Sequence, residues 1–437
     1  MLKWAFAVVI ILVLALVFRL GLLLYAAYAL LAVLFVSRYL AKVWSESITV
    51  RRECNRLTAR VGETVSVLIH LRNTGPIPVA WMLCEDVLPA NALAYAPPSL
   101  RVTGRRMQLT MFRKNAVRSM VYQLECNRRG YYQLGPTVLE TGDLFGLQRR
   151  YRVGTAPNYL LVYPEVVALE GYDVASRRPI GEVRMTYRLF EDPTRIAGVR
   201  QYAAGDPLNR VHWRATARTG MLHSKVYEPS TVSGATIVVD FHRQTHVAAQ
   251  EPMRSELAVT AAASIANAVY MMQQQVGLVT NGRDAADRIR VEGWRHDWRT
   301  RDSALKAVQG DGANDRLAPV VVPTRRGPEQ FMRILETLAR LELTDGLTLP
   351  QLLVEAECRL PRDATVIVIL PQVTEEAAIA LGSLRRRGFA VLALLNLYED
   401  YDFAMSSGPL VAQGIETRHL RDRACISEIC RGLTIAR

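Results

Sequence analysis

The chain has 437 residues, half of them hydrophobic, and 54 Lys+Arg against 41 Asp+Glu give a formal charge of +13. That length holds two or three domains with a sizeable core, and the composition is that of a globular protein with some membrane content. The six cysteines (Cys54, Cys84, Cys126, Cys358, Cys425 and Cys430) include no Cys-x-x-Cys pair and no Cys/His cluster at zinc spacing, so they read as buried or idle thiols.

Trp4 to Phe18 is an apolar run of 15 residues and Leu20 to Val36 one of 17, with only Arg19 between them. One helix through both would be ~50 Å long, too long for a ~30 Å hydrocarbon core. The sequence therefore predicts a transmembrane hairpin over residues 1–44. Its turn falls at Arg19-Leu20-Gly21, with Arg19 snorkelling to the far interface and Trp4 and Tyr39 flanking the spans. A signal peptide cleaved at Ala27-Tyr28-Ala29 fits less well, because the apolar region is about twice too long. Lys3 precedes the first span, and Arg38, Lys42, Arg51 and Arg52 follow the second. The positive-inside rule then places both termini in the cytoplasm. With such an anchor, the basic excess points to anionic lipid headgroups rather than nucleic acid.

Residues 45–165 are predicted to form a β-sandwich-like domain. Val61 to Asn73 alternates apolar and polar and stops at Thr74-Gly75-Pro76. Val79 to Leu88, Met107 to Phe112 and Ser119 to Asn127 are further strands, and Gly130 to Pro136 closes a hairpin-like segment. Short strands with turns at regular spacing fit a sandwich. Asp143 before Phe145-Gly146 predicts a turn with a buried aromatic.

Residues 166–233 carry the densest pattern of the chain: Arg200-Gln201-Tyr202, Gly205-Asp206, Arg210-Val211-His212-Trp213, Ala217-Arg218, then Lys225-Val226-Tyr227-Glu228. Gly205-Asp206-Pro207 predicts a turn. If the segment after it is helical, Arg210 and Arg218 share a face near Trp213 and Arg214. Two roles suit these residues. In one, Asp206 pairs with an Arg, Trp213 packs into a core, and the segment is a structural clamp. In the other, it is a surface that reads acidic groups on a partner with Arg forks and aromatic anchors. His212 and His223 read as structural, since neither stands at triad spacing from a nucleophile.

Residues 234–437 alternate strands and helices, the pattern of a doubly wound α/β sheet. The predicted strands are Gly234–Phe241, Val276–Thr280, Thr365–Leu370 and Phe389–Leu395. The predicted helices are Glu251–Gln275, Pro328–Leu341, Pro350–Glu357, Glu375–Arg387 and Arg421–Arg431. Leu257, Ala261, Ile265, Ala268 and Met272 are spaced as one apolar face of the first helix.

The 200–228 pattern resembles the signature of the family called domain of unknown function 58. The run Arg129-Gly130-Tyr131, Gly135-Pro136, Asp143-Leu144-Phe145-Gly146-Leu147 is similar to an element that recurs in that family ahead of the signature. The resemblance implies a von Willebrand factor A-like C-terminal domain in a protein of the bacterial cell membrane. It also implies a partner, an AAA+ ATPase of the MoxR type. Folds of that kind often hold a hard cation on an Asp-x-Ser-x-Ser loop. Here the loop reads Asp240-Phe241-His242-Arg243-Gln244, with His242 and Gln244 in place of the serines. That is a degenerate cage, so no metal is expected.

No phosphate loop, strand-linked Gly-x-Gly-x-x-Gly, Gly-x-Ser-x-Gly or His-Glu-x-x-His motif occurs in the chain. The expectation is a membrane-anchored interaction or scaffold protein without catalytic residues or cofactor, acting with the ATPase in assembly or maturation of a client. A nucleic-acid-binding protein and a metal-dependent hydrolase are the rival classes. The first is disfavoured by dispersed basic residues, and Arg385-Arg386-Arg387 suits the C-terminus of a helix. The second lacks ligands.

Overall fold

A computed structural model describes residues 10, 13, 17, 21–94, 97–146, 148–169, 190–202, 211–230, 234–292, 317–362 and 364–429. The chain forms two compact units, dividing at Tyr163/Pro164.

The first unit begins with helix α1 (Gly21–Ser47), whose stretch from Leu24 is long and apolar enough to cross a membrane. Among the described residues it is the one such helix. The first apolar run, Trp4–Phe18, and Arg19 lie outside the described residues apart from helical Ile10, Val13 and Val17. Gly21, placed in a turn by the sequence, is already helical. The helix also runs on to Ser47, past the expected end of the anchor at 44. The reason is packing: Ala41 and Trp44 are buried, Trp44 within the sandwich core, while Leu22, Tyr25, Phe35 and Tyr39 are exposed. The polar end of the apolar stretch is thus held by burial, which outweighs the local loss of hydrophobicity.

The strands that follow are β1 (Ile48–Cys54), β2 (Thr58–Arg60), β3 (Thr64–Asn73), β4 (Val79–Asp86), β5 (Leu100–Gly104), β6 (Met107–Phe112), β7 (Val117–Cys126), β8 (Gly130–Leu134), β9 (Thr137–Gly142), β10 (Arg149–Thr155) and β11 (Asn158–Tyr163), with a short helix α2 (Ala90–Ala94) between β4 and β5. The strands form sheets ordered β1-β3-β7-β5 and β10-β9-β4-β6, with a third small sheet β2-β11-β8. The alternation in β3 works as expected: Val65, Val67, Ile69 and Leu71 are all fully buried, while Ser66, Leu68 and His70 between them are half-buried. Each side chain of that row removes a whole aliphatic group from water, worth about 1.5–3 kcal/mol.

The core also contains a polar knot. Arg52 and Asp86 form an ion pair with side chains 1% and 0% exposed. The remaining donors and acceptors are matched. Arg52 donates to Thr137 Oγ1 at 2.9 Å, to the carbonyls of Leu134 and Ala156 at 3.0 Å, and to Asn158 Oδ1 at 3.2 Å, while Tyr122 donates its hydroxyl to Asp86. Such complete satisfaction is what makes a buried charge pair tolerable. Burial pushes the Cys84 thiol up to about 12, and Cys126 to about 11.

The second unit opens with a two-stranded ribbon, β12 (Phe190–Gln201) and β13 (His223–Ser230), linked by helix α3 (Trp213–Thr219). Then come β14 (Gly234–Val239), α4 (Met253–Met271), β15 (Gln275–Thr280), β16 (Arg283–Asp284), α5 (Ala285–Glu292), β17 (Val320–Arg325), α6 (Pro328–Arg340), β18 (Leu341–Glu342), α7 (Leu349–Ala356), β19 (Thr365–Leu370), α8 (Glu375–Arg386), β20 (Val391–Leu395), α9 (Asp400–Ala412), β21 (Glu416–His419) and α10 (Arg423–Ile429). The main sheet is six-stranded, ordered β17-β15-β14-β19-β20-β21, parallel except for the edge strand β17. Every residue of β14 is buried, as a central parallel strand requires. Helix α4 departs from the expected single apolar face. Residues 261–266 are all buried, so it is enclosed nearly all round, and its run of Ala permits that close approach.

Candidate functional site

Strand order in the main sheet reverses between β14 and β19, the position where open α/β sheets form a crevice at their carboxyl ends. Asp240 follows β14 at that point and is 1% exposed, its N–H donating to the Ile369 carbonyl at 3.1 Å. Its carboxylate is fully engaged. Oδ1 accepts the His242 N–H at 3.1 Å and Asn281 Nδ2 at 2.8 Å, and Oδ2 accepts Thr245 Oγ1 at 2.9 Å. Asn281 also bridges to the Phe241 N–H and the Leu347 carbonyl. Three N–H or O–H donors converging on one carboxylate make a hydrogen-bond hub. They do not make a set of oxygen ligands for a hard cation. Gln244 is exposed, His242 is buried, and no group of three His, Cys, Asp or Glu among the described residues is placed to share an ion. The residues present do not fit the divalent metal that the family resemblance raises.

Beneath the loop lies a pair that the sequence does not single out. His246 Nδ1 is 2.7 Å from Glu251 Oε1 and its Nε2 is 3.1 Å from the Asp240 carbonyl. Both partners accept, so an imidazolium that donates from each nitrogen satisfies the geometry. Burial alone would depress His246. The bonds to Glu251 and to the Asp240 carbonyl outweigh it and raise the pKa above 6.5. Burial pushes Glu251 up, but its bonds to His246 and Ser255 hold the carboxyl below 4.5. Next along α4, Arg254 is 3% exposed. It donates to Asn396 Oδ1 at 3.0 Å and to the Arg421 carbonyl at 2.9 Å, with its guanidinium 3.3 Å over the Tyr398 ring. The loop and the start of α4 are thus held together by their own side chains, although Arg254 Nε and Nη2 and Glu251 Oε2 are buried without a hydrogen-bond partner among the described residues.

The signature residues lie elsewhere in this unit. Gly205, Asp206 and Arg210 are outside the described residues. Tyr202 follows β12, its N–H donating to the Leu222 carbonyl at 2.9 Å, and Tyr227 and Glu228 lie on β13, where Tyr227 pairs with Ile196. His212 caps α3, its Nδ1 accepting the Ala215 N–H at 2.9 Å, and Gly220 ends the helix in the left-handed region at φ 72°. Trp213, expected in the core on the clamp reading, is 68% exposed at the first turn of α3. No residue of α3 is buried, so a seven-residue helix capped at both ends displays Trp213, Arg214 and Arg218 to solvent. The physical reason is that the helix is fixed by its caps and by the β12–β13 ribbon, without needing the indole.

This is a doubly wound α/β domain whose switch-point loop is hydrogen-bonded around Asp240 and whose added ribbon and helix carry an exposed Trp/Arg set. Residues 198–300 are a domain of the family described as "Protein of unknown function DUF58". The "Uncharacterized protein YeaD" of Bacillus subtilis (strain 168) is 26% identical over 261 residues, covering 59% of this chain. The match takes in 62% of that relative, so the chain spans less than two thirds of its length. Among solved structures, the CARDB domain of a Pyrococcus furiosus protein is 11% identical, covering 26% of this chain and 94% of that one at a TM-score of 0.19. A cohesin module of a Clostridium perfringens family 33 glycoside hydrolase is 13% identical, covering 26% and 96% at a TM-score of 0.18. Likenesses this slight say nothing about function.

Proposed function

We propose that the chain is a non-enzymatic, membrane-anchored docking protein. In this reading α1 fixes it to the cell membrane of a bacterium, as one half of a two-span hairpin, with both units on the cytoplasmic side. The von Willebrand factor A-like second unit presents α3 to an AAA+ ATPase of the MoxR type. The observation that carries the reading is the exposure of Trp213 beside Arg214 and Arg218. Trp and Arg dominate the energetics of protein interfaces, and a large indole left in water on a capped helix has no structural task. The engaged carboxylate of Asp240 supports a scaffold rather than a metal-dependent hydrolase. The test is a binding titration of the purified ATPase against the full chain in nanodiscs. Trp213→Ala is expected to weaken binding at least about 30-fold, the effect of a hot spot of ~2 kcal/mol, with the melting temperature unchanged. Unaltered binding, or loss of folding in that variant, would refute the docking role of α3.

A further inference from the structure

The turn between β9 and β10 departs from expectation in an informative way. The sequence predicts a turn with a buried aromatic at Phe145. The turn forms, but Phe145 is 60% exposed and Leu144 64%. Nor is the tip loose. Asp143, 2% exposed, accepts the Phe145 N–H at 3.2 Å and the Gln148 N–H at 2.8 Å, and its own N–H donates to the Gln148 carbonyl. A buried carboxylate therefore holds two large apolar side chains out in solvent.

The tip lies at the end of the sandwich where α1 enters. Ser47, the last residue of α1, accepts both the N–H and the hydroxyl of Thr74 through its carbonyl, at 2.9 and 3.0 Å. The neighbouring Asn73 donates from its side chain to the Arg113 carbonyl and from its backbone N–H to the Ala116 carbonyl, which puts the β6–β7 turn at the same end. That turn exposes Arg113 and Lys114. The Val79–Phe112 pair and the bond from Trp81 Nε1 to the Asp143 carbonyl bring the β9–β10 tip alongside. In α1 the first basic residue past the apolar stretch is Arg38, six residues before the buried Trp44, or ~9 Å along the axis. The headgroup layer is roughly 5–8 Å deep on each side. This end of the sandwich therefore stands within reach of the lipid surface.

We infer that the Leu144–Phe145 tip and the Arg113–Lys114 turn form a lipid-contacting edge that seats the sandwich on an anionic membrane surface beside α1. The tip supplies apolar and aromatic groups for the interface, and the turn supplies cations for the headgroups, the two signals that interfacial segments combine. The inference rests on the reading of α1 as a membrane span.

The test uses the full chain in nanodiscs of phosphatidylglycerol mixed with phosphatidylcholine, some lipids carrying a nitroxide on the headgroup. A fluorinated phenylalanine is placed separately at Phe145, at Met107 on the far end of β6, and at Tyr28 inside the span. The expected result is loss of the fluorine signal at Phe145 and Tyr28 and its retention at Met107. In the Arg113→Glu/Lys114→Glu variant the Phe145 signal should return, since each cation near an anionic surface favours contact about fivefold. Loss at Tyr28 with retention at Phe145 overturns the edge while leaving the anchor standing. Retention at all three sites overturns the anchor and the edge together. Loss at Met107 as well overturns the edge in favour of the outer face of the β6 sheet lying on lipid.

Discussion

Glu251 offers a sharp experiment on the switch-point loop, because its two simplest replacements should behave differently. In Glu251→Ala the His246 imidazole, whose side chain is 0% exposed, loses the acceptor at 2.7 Å that stabilises its proton. Removing one partner of a buried pair costs about 3–5 kcal/mol. Glu251 is itself 16% exposed, which moves the expectation to the lower end, about 3 kcal/mol. In Glu251→Gln the side-chain amide can donate to Nδ1 while a neutral imidazole keeps its Nε2–H bond to the Asp240 carbonyl. The bond to Nδ1 is then kept in neutral form, and the cost falls to about 1 kcal/mol. The pH dependence comes from the two shifts. His246 is raised above 6.5, so its contribution is complete below that value and is lost as pH rises through the folded pKa. Glu251 is depressed below 4.5, so its contribution is present above 4.5 and is lost as pH falls through the folded value. The wild-type loop should be tightest between pH 4.5 and 6.5 and loosen on the alkaline side, a loosening that Glu251→Gln should abolish. Hydrogen exchange of the amides between Asp240 and Glu251 reads this directly, with ~3 kcal/mol appearing as exchange faster by about 150-fold. Equal effects of Ala and Gln, or a wild-type profile flat through neutral pH, would refute the charged-pair assignment.

In the sandwich, Arg52→Ala or Asp86→Ala should lower stability by about 3–5 kcal/mol in chemical unfolding, whereas Arg52→Met combined with Asp86→Leu should cost clearly less than the sum. Cys84 and Cys126, with their thiols pushed up to about 12 and about 11, should resist maleimide in the folded chain, and exposed Cys358 should react at once, as mass spectrometry would show. Calorimetry with Mg²⁺ or Mn²⁺ should find no affinity in the range of roughly micromolar Kd, because Asp240 is engaged by Asn281, Thr245 and the His242 N–H; tight binding lost in Asp240→Ala would contradict that. Trp213→Ala should leave stability within about 0.5 kcal/mol of wild type, as for an exposed surface position.

The elements most legible in the sequence are those whose burial is one-sided or complete. Strand β19 lies at the predicted residues because a short continuous apolar run has one low-energy solution, whereas β6 lies where predicted although its Met107, Leu109 and Met111 face solvent. Strand β17 and helix α9 are not legible, for the opposite reason. Val320–Arg325 contains Pro323, which is acceptable only because the strand lies at the sheet edge, and α9 contains Gly408 and Pro409 and buries Leu410. Neither position can be known before the sheet order is. The site is legible only as residue types. Asp240 stands out by its place after an apolar strand, but its partner Asn281 comes from a distant loop, and Thr245 and His246 in its own loop, with Glu251 on His246, match no recognised motif.

The two largest misplacements, Trp213 and Phe145, share one cause. The clamp reading of Trp213, one of the two left open, and the turn reading of Phe145 each place an aromatic residue in a core because burying it yields several kcal/mol. In both cases short-range hydrogen bonds decide otherwise: His212 Nδ1 on the Ala215 N–H sets α3, and the Asp143 carboxylate on the Phe145 and Gln148 N–H groups sets the β9–β10 tip. A cap or a side-chain-bonded turn satisfies the backbone without the aromatic ring, so the ring is free of any folding task. Hydrophobic burial is then a gain left unrealised within the chain and available to whatever surface meets it. On this view the two exposed rings are where the molecule touches other matter. On the proposed readings Phe145 would meet lipid together with Arg113 and Lys114, and Trp213 would meet a protein surface together with Arg214 and Arg218. The double variant Phe145→Ser/Trp213→Ala makes the point concrete. It should keep the wild-type unfolding midpoint, since each ring is outside both cores, while losing both contacts. A drop of more than about 2 kcal/mol in its stability would show that at least one ring is packed in the folded chain.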